Sequence, residues 1–400
     1  MKTYLISTTC LILLLFWPIQ ALETATPLEN GIGEPGTLVP ERFSTASETN
    51  YLNNLSRRGF RLDTQGLLIE SLDASTVYAD LNSTVGFNPA SVIKIATSFA
   101  VLRKLGPEYH FETTLLMDGV VNKKTRTLTG NLVLLATGDP MLAATDVTRL
   151  LRQVIKAGIV QVNGDLIVNG PFTYGRYYTT GRALKGLSTT LRKLGIRVKG
   201  ATKAGEARGT KLGSHFSSSL RDILFYQNAH SSNSIADRIG EAVGGPDAVE
   251  QFLVQELGIP EGEIIVSHAS GLDYNRITPR GTIHLLRELF FWLNEQGLQP
   301  QDIMPVAGID PGTLHTRFTS LEYRGAVVGK TGTLPATDGG VSTLAGIVYT
   351  RDRGPLLFAI FNTKGSVTTY RRLQDSLLKD FIAESGGIPE VSASLRRSNN

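Results

Sequence analysis

Cysteine is almost absent from this chain of 400 residues, which contains only one, Cys10. It lies in an apolar stretch, Tyr4–Pro18, that follows a lysine and precedes the small residue Ala21. This arrangement is typical of a secretory signal peptide, which we place at residues 1–21. The remainder of the chain has no thiol, which excludes disulfide scaffolds, cysteine-ligated metal clusters and cysteine nucleophiles.

Long apolar runs and basic clusters are lacking as well. After the predicted signal peptide, no segment reaches the roughly 18 apolar residues of a spanning helix, so we expect no transmembrane anchor. The formal net charge is +4, and no basic run is interleaved with aromatic residues. We therefore expect no nucleic-acid partner. The six histidines are scattered without an HExxH motif or a close pair, which predicts no metal site.

Two glycine-containing segments come near to nucleotide-binding motifs without meeting their requirements. Gly31–Gly36 matches GxGxxG, but no strand pattern precedes it and no helix pattern follows. The segment 324–331 approaches a P-loop, but Arg324 stands where the first glycine is required. We expect no cofactor.

The periodicity at both ends of the chain predicts one mixed domain. A hairpin is indicated at 66–72 and 76–81, followed by a helix from Pro89 to Leu105 with Asn88 as its N-cap. Further elements are predicted as helices at 217–241, 246–257 and 282–296, strands at 326–328, 342–350 and 356–362, and a last helix at 370–384. This order favours an α/β (α+β) sandwich, a mainly antiparallel sheet flanked by helices and built from both chain ends.

The middle of the chain differs in character. Strands at 113–116, 128–135 and 165–168 alternate with helices at 146–157 and 182–194, which indicates a smaller inserted α/β domain. The predicted organisation is a signal peptide at 1–21, a flexible lead-in at 22–50, a catalytic domain at 51–107 and 216–388, an inserted accessory domain at 108–215, and a polar tail at 389–400.

Three short motifs carry the chemistry: SVIK at Ser91–Lys94, SSN at Ser231–Asn233 and KTGT at Lys330–Thr333. SxxK occurs again at Ser376–Lys379, within the last predicted helix, and SxN occurs again at 398–400, in the tail. Only the first set has the order SxxK, SxN, KTG in fitting local settings. That ordered set resembles the penicillin-binding and serine β-lactamase superfamily.

The spacing of the first motif suits an activated nucleophile. Ser91 and Lys94 are one helical turn apart, and the first turn exposes Ser91 to free backbone N–H groups. A lysine with an ordinary pKa near 10.4 is a poor base at neutral pH, but burial and a neighbouring cation, such as Lys330, would lower that pKa. Each motif also has a structural interpretation when it is considered alone. Lys94 could equally be a lysine on the surface of a helix, and Ser231–Asn233 could be a turn that caps a helix.

The resemblance extends over nearly the whole chain after residue 21. It is to the D-alanyl-D-alanine carboxypeptidase/endopeptidase family of class C low-molecular-mass penicillin-binding proteins, peptidase family S13. The matching segments are 88–94, 130–140, 164–168, 231–237, 270–272, 312–318 and 330–334. The chain departs from the family pattern after Phe172, where one accessory region is shortened. That leaves recognition of the stem-peptide side chain open.

The resemblance implies a serine DD-peptidase with a β-lactamase-like fold. Ser91 would attack the D-Ala-D-Ala carbonyl and form an acyl-enzyme, with Lys94 as base. Ser231 would relay a proton to the leaving amine, and Asn233 would hold Lys94 and the substrate amide. The partners implied are peptidoglycan stem peptides as substrates and β-lactam antibiotics as covalent inhibitors, in an exported, periplasmic location.

The resemblance also places the substrate-binding residues on the third motif. Lys330, Thr331, Gly332 and Thr333 would bind the terminal carboxylate, and the backbone N–H groups of Ser91 and Thr333 would form an oxyanion hole. The sequence leaves two other functions open. One is a serine β-lactamase, and the other is a non-catalytic protein that binds peptidoglycan or senses β-lactams.

Overall fold

The computed structural model describes residues 40–177 and 179–390. The predicted signal peptide with Cys10, most of the predicted lead-in, and residues 391–400 of the predicted tail lie outside the described residues.

The elements are numbered in chain order. Helices α1 to α9 span Ala46–Arg57, Lys94–Leu105, Ala144–Lys156, Thr180–Lys193, Leu220–His230, Asn233–Val243, Pro246–Gln251, Pro279–Glu295 and Val367–Glu384. Strands β1 to β15 span Glu41–Arg42, Gln65–Ser71, Thr76–Leu81, Glu112–Asn122, Thr127–Ala136, Gln161–Val162, Leu166–Asn169, Arg197–Val198, Thr202–Ala204, Thr210–Phe216, Ile264–Ile265, Arg276–Ile277, Val327–Leu334, Val341–Thr350 and Gly354–Thr363.

The main sheet is built from both halves of the chain. Its strand order is β1-β3-β2-β15-β14-β13, antiparallel except for the short parallel pair β1 and β3. The predicted N-terminal hairpin is β2 and β3, and β2 pairs directly with β15 in the register Leu68 to Ala359. The prediction of a mainly antiparallel sheet flanked by helices is therefore confirmed.

Both faces of this sheet are covered, and the sequence of β15 shows why. Its run Leu356–Phe361 is apolar at every position, and successive side chains point to opposite faces. Phe358 enters the core that contains Leu55 of α1 and Phe381 of α9. Phe361 enters the other core, which contains residues of α2 and α8. The sheet is thus held between two helical layers, and α2 begins at Lys94, the last residue of the first motif.

A second, mixed sheet is formed by β4 to β10, and it has its own apolar core. That core contains Leu115 and Leu132 of the sheet and Leu151 and Leu187 of α3 and α4. The separate core supports the predicted inserted domain at 108–215, although residues 40–390 belong to one compact unit. The domain boundaries stay a prediction.

The structure corrects three boundaries. The lead-in predicted to end at residue 50 ends earlier, because β1 begins at Glu41 and α1 at Ala46 with the Thr45 side chain as N-cap. The helix predicted at 217–241 is two helices, α5 and α6, separated at Ser231, whose φ of 54° is left-handed. The strand predicted at 326–328 extends through the whole third motif.

Candidate active site

The turn that carries Ser91 is a 3-10 turn, Ala90–Ile93, which leads directly into α2. The backbone N–H of Ala90 donates to Asn88 Oδ1 at 2.9 Å. The N-cap residues of the turn and of α2 are Pro89 and Ile93, and no side chain caps either, so the prediction of Asn88 as N-cap is wrong. Ala90 has a φ of 47°, which is costly for a residue with a Cβ atom. The predicted α-helix from Pro89 therefore begins with a tighter turn that presents Ser91, whose side chain is partly exposed.

Two glycines make room for this turn. A Cβ atom on Gly271, whose φ is 84°, would lie 2.0 Å from the carbonyl oxygen of Ala90. A Cβ atom on Gly332 would lie 2.5 Å from the carbonyl oxygen of Pro89. The first and third motifs are consequently packed backbone to backbone, which requires glycine at position 332.

Lys94 lies at the centre of a hydrogen-bond network. Its side chain is 0% exposed, and Nζ lies 2.8 Å from Ser91 Oγ and 2.7 Å from Asn233 Oδ1. Nζ also donates to the carbonyl oxygen of Ser270. The amide and carbonyl oxygens only accept, whereas the serine hydroxyl can donate. A neutral Lys94 therefore uses two N–H groups on Asn233 and Ser270 and turns its lone pair towards Ser91.

The pKa values of the two site lysines are lowered mainly by burial. Burial lowers the pKa of Lys94 from 10.5 to about 7, while the negative charge of Asp237 acts in the opposite direction. Burial, and then the charge of Lys94, place the pKa of Lys330 well below its usual range. Lys330 was expected to lower the pKa of Lys94 as a neighbouring cation. In the structure, burial alone lowers it.

The second motif lies at the break between α5 and α6. Ser231 is the left-handed residue after α5, and the Ser232 hydroxyl caps α6 by accepting from Ile235 N–H at 3.4 Å. Ser231 Oγ accepts a hydrogen bond from Lys330 Nζ at 2.8 Å. Asn233 opens α6 and reaches Lys94. This segment is therefore a capping turn and also part of the network.

The third motif lies on β13, the edge strand of the main sheet. Lys330 is 0% exposed, and its Nζ also donates to the Thr331 carbonyl oxygen at 2.6 Å. Thr331 Oγ1 donates to Thr313 Oγ1 at 2.8 Å. Thr333 Oγ1 accepts from Arg371 Nη2 of α9 at 2.8 Å. The structure thus brings all three motifs together around Ser91.

Sequence reasoning missed several residues of this site. Asp237 accepts from the backbone N–H of Ser270 at 3.0 Å, which orients the carbonyl oxygen that binds Lys94. Asp237 and Ser270 lie in segments that match the family, but neither the residue types nor their spacing indicates a role for them. Arg371 had no sequence signal at all, because only the packing of α9 against the sheet brings it to Thr333.

Two kinds of feature are absent from the part of the chain that the structure describes. Over residues 40–177 and 179–390, no three or more His, Cys, Asp or Glu side chains are arranged to hold a metal ion. In the same part of the chain, no helix has the length and apolar character needed to cross a membrane.

Comparison with known proteins gives one consistent family. A sequence profile of the D-Ala-D-Ala carboxypeptidase 3 (S13) family matches residues 59–181 and 171–378. D-alanyl-D-alanine carboxypeptidase DacB of Haemophilus influenzae is 24% identical over 407 residues, covering 72% of this chain and 83% of that protein.

Solved structures share the fold. The crystal structure of penicillin-binding protein 4 (dacB) from Haemophilus influenzae matches with a TM-score of 0.69 at 22% identity, over 84% of this chain and 99% of that one. The penicillin G-acylated Bd3459 predatory endopeptidase of Bdellovibrio bacteriovorus, in complex with immunity protein Bd3460, matches with a TM-score of 0.64 at 20% identity, over 81% and 93% of the two chains. The chain belongs to the S13 family of D-Ala-D-Ala carboxypeptidases and is a serine-type DD-peptidase, as the resemblance of its motifs predicts.

Proposed function

We propose that this DD-peptidase cleaves the D-Ala-D-Ala bond of peptidoglycan stem peptides, or the equivalent cross-link bond, through an acyl-enzyme on Ser91. The observation that carries the proposal is the 2.8 Å contact between Ser91 Oγ and Lys94 Nζ inside a buried network. A nucleophilic serine needs a neighbouring base within hydrogen-bond reach, and Lys94 fits that requirement.

Lys94 acts as the base in the first step. With a pKa of about 7, a large fraction of the side chain is neutral at physiological pH. It takes the proton of Ser91 as Oγ bonds to the substrate carbonyl carbon. The same contact supports the reverse role in deacylation, where Lys94 takes a proton from water as the water attacks the ester.

Ser231 acts on the leaving group, and Asn233 positions the base, Lys94. Collapse of the tetrahedral intermediate breaks the C–N bond, and the departing amine must gain a proton. Ser231 relays it, supported by Lys330, whose Nζ donates a hydrogen bond to Ser231 Oγ at 2.8 Å. Asn233 holds Lys94 in place through its Oδ1. The amine then leaves as D-alanine, or as the cross-linked residue of a second stem peptide.

The oxyanion of the intermediate is stabilised by the backbone N–H groups of Ser91 and Thr333. The close packing of Gly332 on the Pro89 carbonyl supports this assignment, since it brings β13 beside the turn that carries Ser91. One such donor is typically worth about 3 kcal/mol in the transition state. Thr331 and Thr333 present hydroxyl groups along the same strand to the substrate carboxylate.

Export follows from the substrate class. Peptidoglycan lies outside the cytoplasmic membrane, and the signal peptide predicted at residues 1–21 supports delivery to that side. We place the enzyme in the periplasm on these grounds.

The test is intact-mass spectrometry of the protein with benzylpenicillin, followed by an assay of D-alanine release from diacetyl-Lys-D-Ala-D-Ala. We expect one covalent adduct and release of D-alanine. Ser91→Ala should give neither. The control is Ser376→Ala, which removes the serine of the second SxxK, exposed on α9, and should leave both activities intact. Adduct formation by Ser91→Ala would refute the nucleophile assignment.

A further inference from the structure

Arg371 is a cation at the third motif that neither the motifs nor the resemblance assigns. It lies in α9, and its guanidinium donates from Nη2 to Thr333 Oγ1 at 2.8 Å. Its side chain is exposed, whereas Thr333 is partly buried at the end of β13. The guanidinium therefore lies on the solvent side of Thr333, at the end of the third motif.

The positive charge of the Arg371 guanidinium is not fully neutralised by its neighbours. Arg317 is 8% exposed and forms an ion pair of 2.5 Å with Asp375. The single carboxylate of Asp375 acts on both guanidiniums but forms its contact with Arg317. Partial burial of its inner atoms and repulsion from Arg317 lower the pKa of Arg371, yet a guanidinium stays charged at any physiological pH. The carboxylate of Asp375 therefore neutralises only part of the positive charge of the two arginines.

The segment that carries Arg371 is held rigidly. Arg317 bonds to Gln374 Oε1 at 3.3 Å, and Gln374 Nε2 donates to the Ser342 carbonyl oxygen of β14 at 3.0 Å. Gln374 is 0% exposed. These contacts fix α9 against the sheet one turn after Arg371. The helix is therefore anchored, and the bond to Thr333 Oγ1 holds the guanidinium at the strand end, which lowers the entropy lost when it binds an anion.

Lys330, the cation of the third motif, is poorly placed to supply this charge alone. It is 0% exposed, and its Nζ donates to Ser231 Oγ and to the Thr331 carbonyl oxygen. Burial also lowers its pKa well below the usual range. A substrate carboxylate that reaches Thr333 meets the guanidinium of Arg371 directly, since both share one hydroxyl group.

We propose that Arg371 is a specificity-determining residue that binds the carboxylate on the leaving residue of the peptide, together with the Thr333 hydroxyl. The inference rests on the proposed function. A guanidinium has five N–H donors in a planar fork, and one of them serves Thr333, so others remain for a bidentate contact with a carboxylate. The same contact serves the carboxylate of a β-lactam.

The experiment compares substrates with and without that carboxylate. The kcat/KM for diacetyl-Lys-D-Ala-D-Ala and for its C-terminal amide is measured by the appearance of diacetyl-Lys-D-Ala, the product that both share. The variants are Arg371→Gln, which removes the charge, and Arg371→Lys, which keeps it. The matched control is Arg372→Gln, because Arg372 is the next arginine of α9 and is also exposed.

We expect Arg371→Gln to lower kcat/KM for the carboxylate substrate roughly 10- to 100-fold, the range of a charged hydrogen bond, with little change for the amide. The preference for the free carboxylate should collapse in this variant, recover in part in Arg371→Lys, and stay as in the wild type in Arg372→Gln. An unchanged preference in Arg371→Gln would overturn the inference.

A second readout separates this inference from the proposed function. The rates of acylation by benzylpenicillin and by its methyl ester give the same comparison without turnover of a peptide. A wild-type protein that benzylpenicillin does not acylate would overturn the proposed function and, with it, this inference. A wild-type protein that is acylated, with the preference for the acid over the ester preserved in Arg371→Gln, would overturn the inference alone.

Discussion

The pH dependence of acylation is the sharpest consequence of the buried Lys94. Its pKa is about 7 in place of 10.5, so at pH 7 about half of the molecules carry a neutral lysine. With an ordinary pKa, only about 1 in 3,000 would do so. The structure therefore supplies on the order of 1,000-fold more of the basic form at neutral pH.

The sign of the effect follows from the role of the neutral form. Acylation of Ser91 requires Lys94 without its proton, so the rate should rise about tenfold from pH 5 to 6, about fivefold from pH 6 to 7, and level off above pH 8. The assay is the second-order rate constant for acylation by a fluorescent penicillin, measured by stopped flow from pH 5 to 9. A profile that is flat over this range would refute the assignment of Lys94 as base.

Asp237 provides a test of the electrostatic origin. Its carboxylate raises the pKa of Lys94 against the effect of burial. Asp237→Asn keeps an oxygen for the Ser270 N–H contact and removes the charge. The midpoint of the acylation profile should shift to lower pH in this variant. A shift to higher pH would contradict the charge arrangement described above.

Three further outcomes are expected. Lys94→Met should abolish acylation, because it removes the base beside Ser91 Oγ and keeps a side chain of similar length; acylation at the wild-type rate would count against this. Gly332→Ala places a Cβ atom 2.1 Å from its nearest neighbour and should lower both the acylation rate and the free energy of unfolding, the latter by about 1–3 kcal/mol. Gly262→Ala, where nothing lies within 4 Å, is the control and should change neither. Arg317→Met leaves Asp375 without its 2.5 Å partner and should lower the free energy of unfolding by about 3 kcal/mol in urea titrations; an unchanged midpoint would show that the pair contributes little.

The sequence was sufficient to predict the sheet and the three motifs, because both depend on local patterns. The alternating or continuous apolar runs of β2, β3, β14 and β15 are strand signals that burial in the sheet then satisfies. The helix after Asn88 is marked by Pro89 before its start and by Gly106, with a φ of 81°, at its end. Local patterns of this kind can be recognised in a single sequence.

Features that depend on tertiary packing were not predictable in the same way. The break at Ser231 lies inside a helical pattern, and nothing local indicates a φ of 54° at a serine. The positive φ of Ala90 is imposed by the surrounding backbone. The roles of Asp237 and Arg371 arise from chain segments that meet only in the fold.

The location of the penicillin adduct tests the central claim most directly. The protein is acylated with benzylpenicillin and digested with trypsin, and the modified peptide is sequenced by tandem mass spectrometry. We expect a single modified peptide, residues 62–94, with the adduct on Ser91. An adduct on any other residue, or none at saturating benzylpenicillin, would contradict the mechanism.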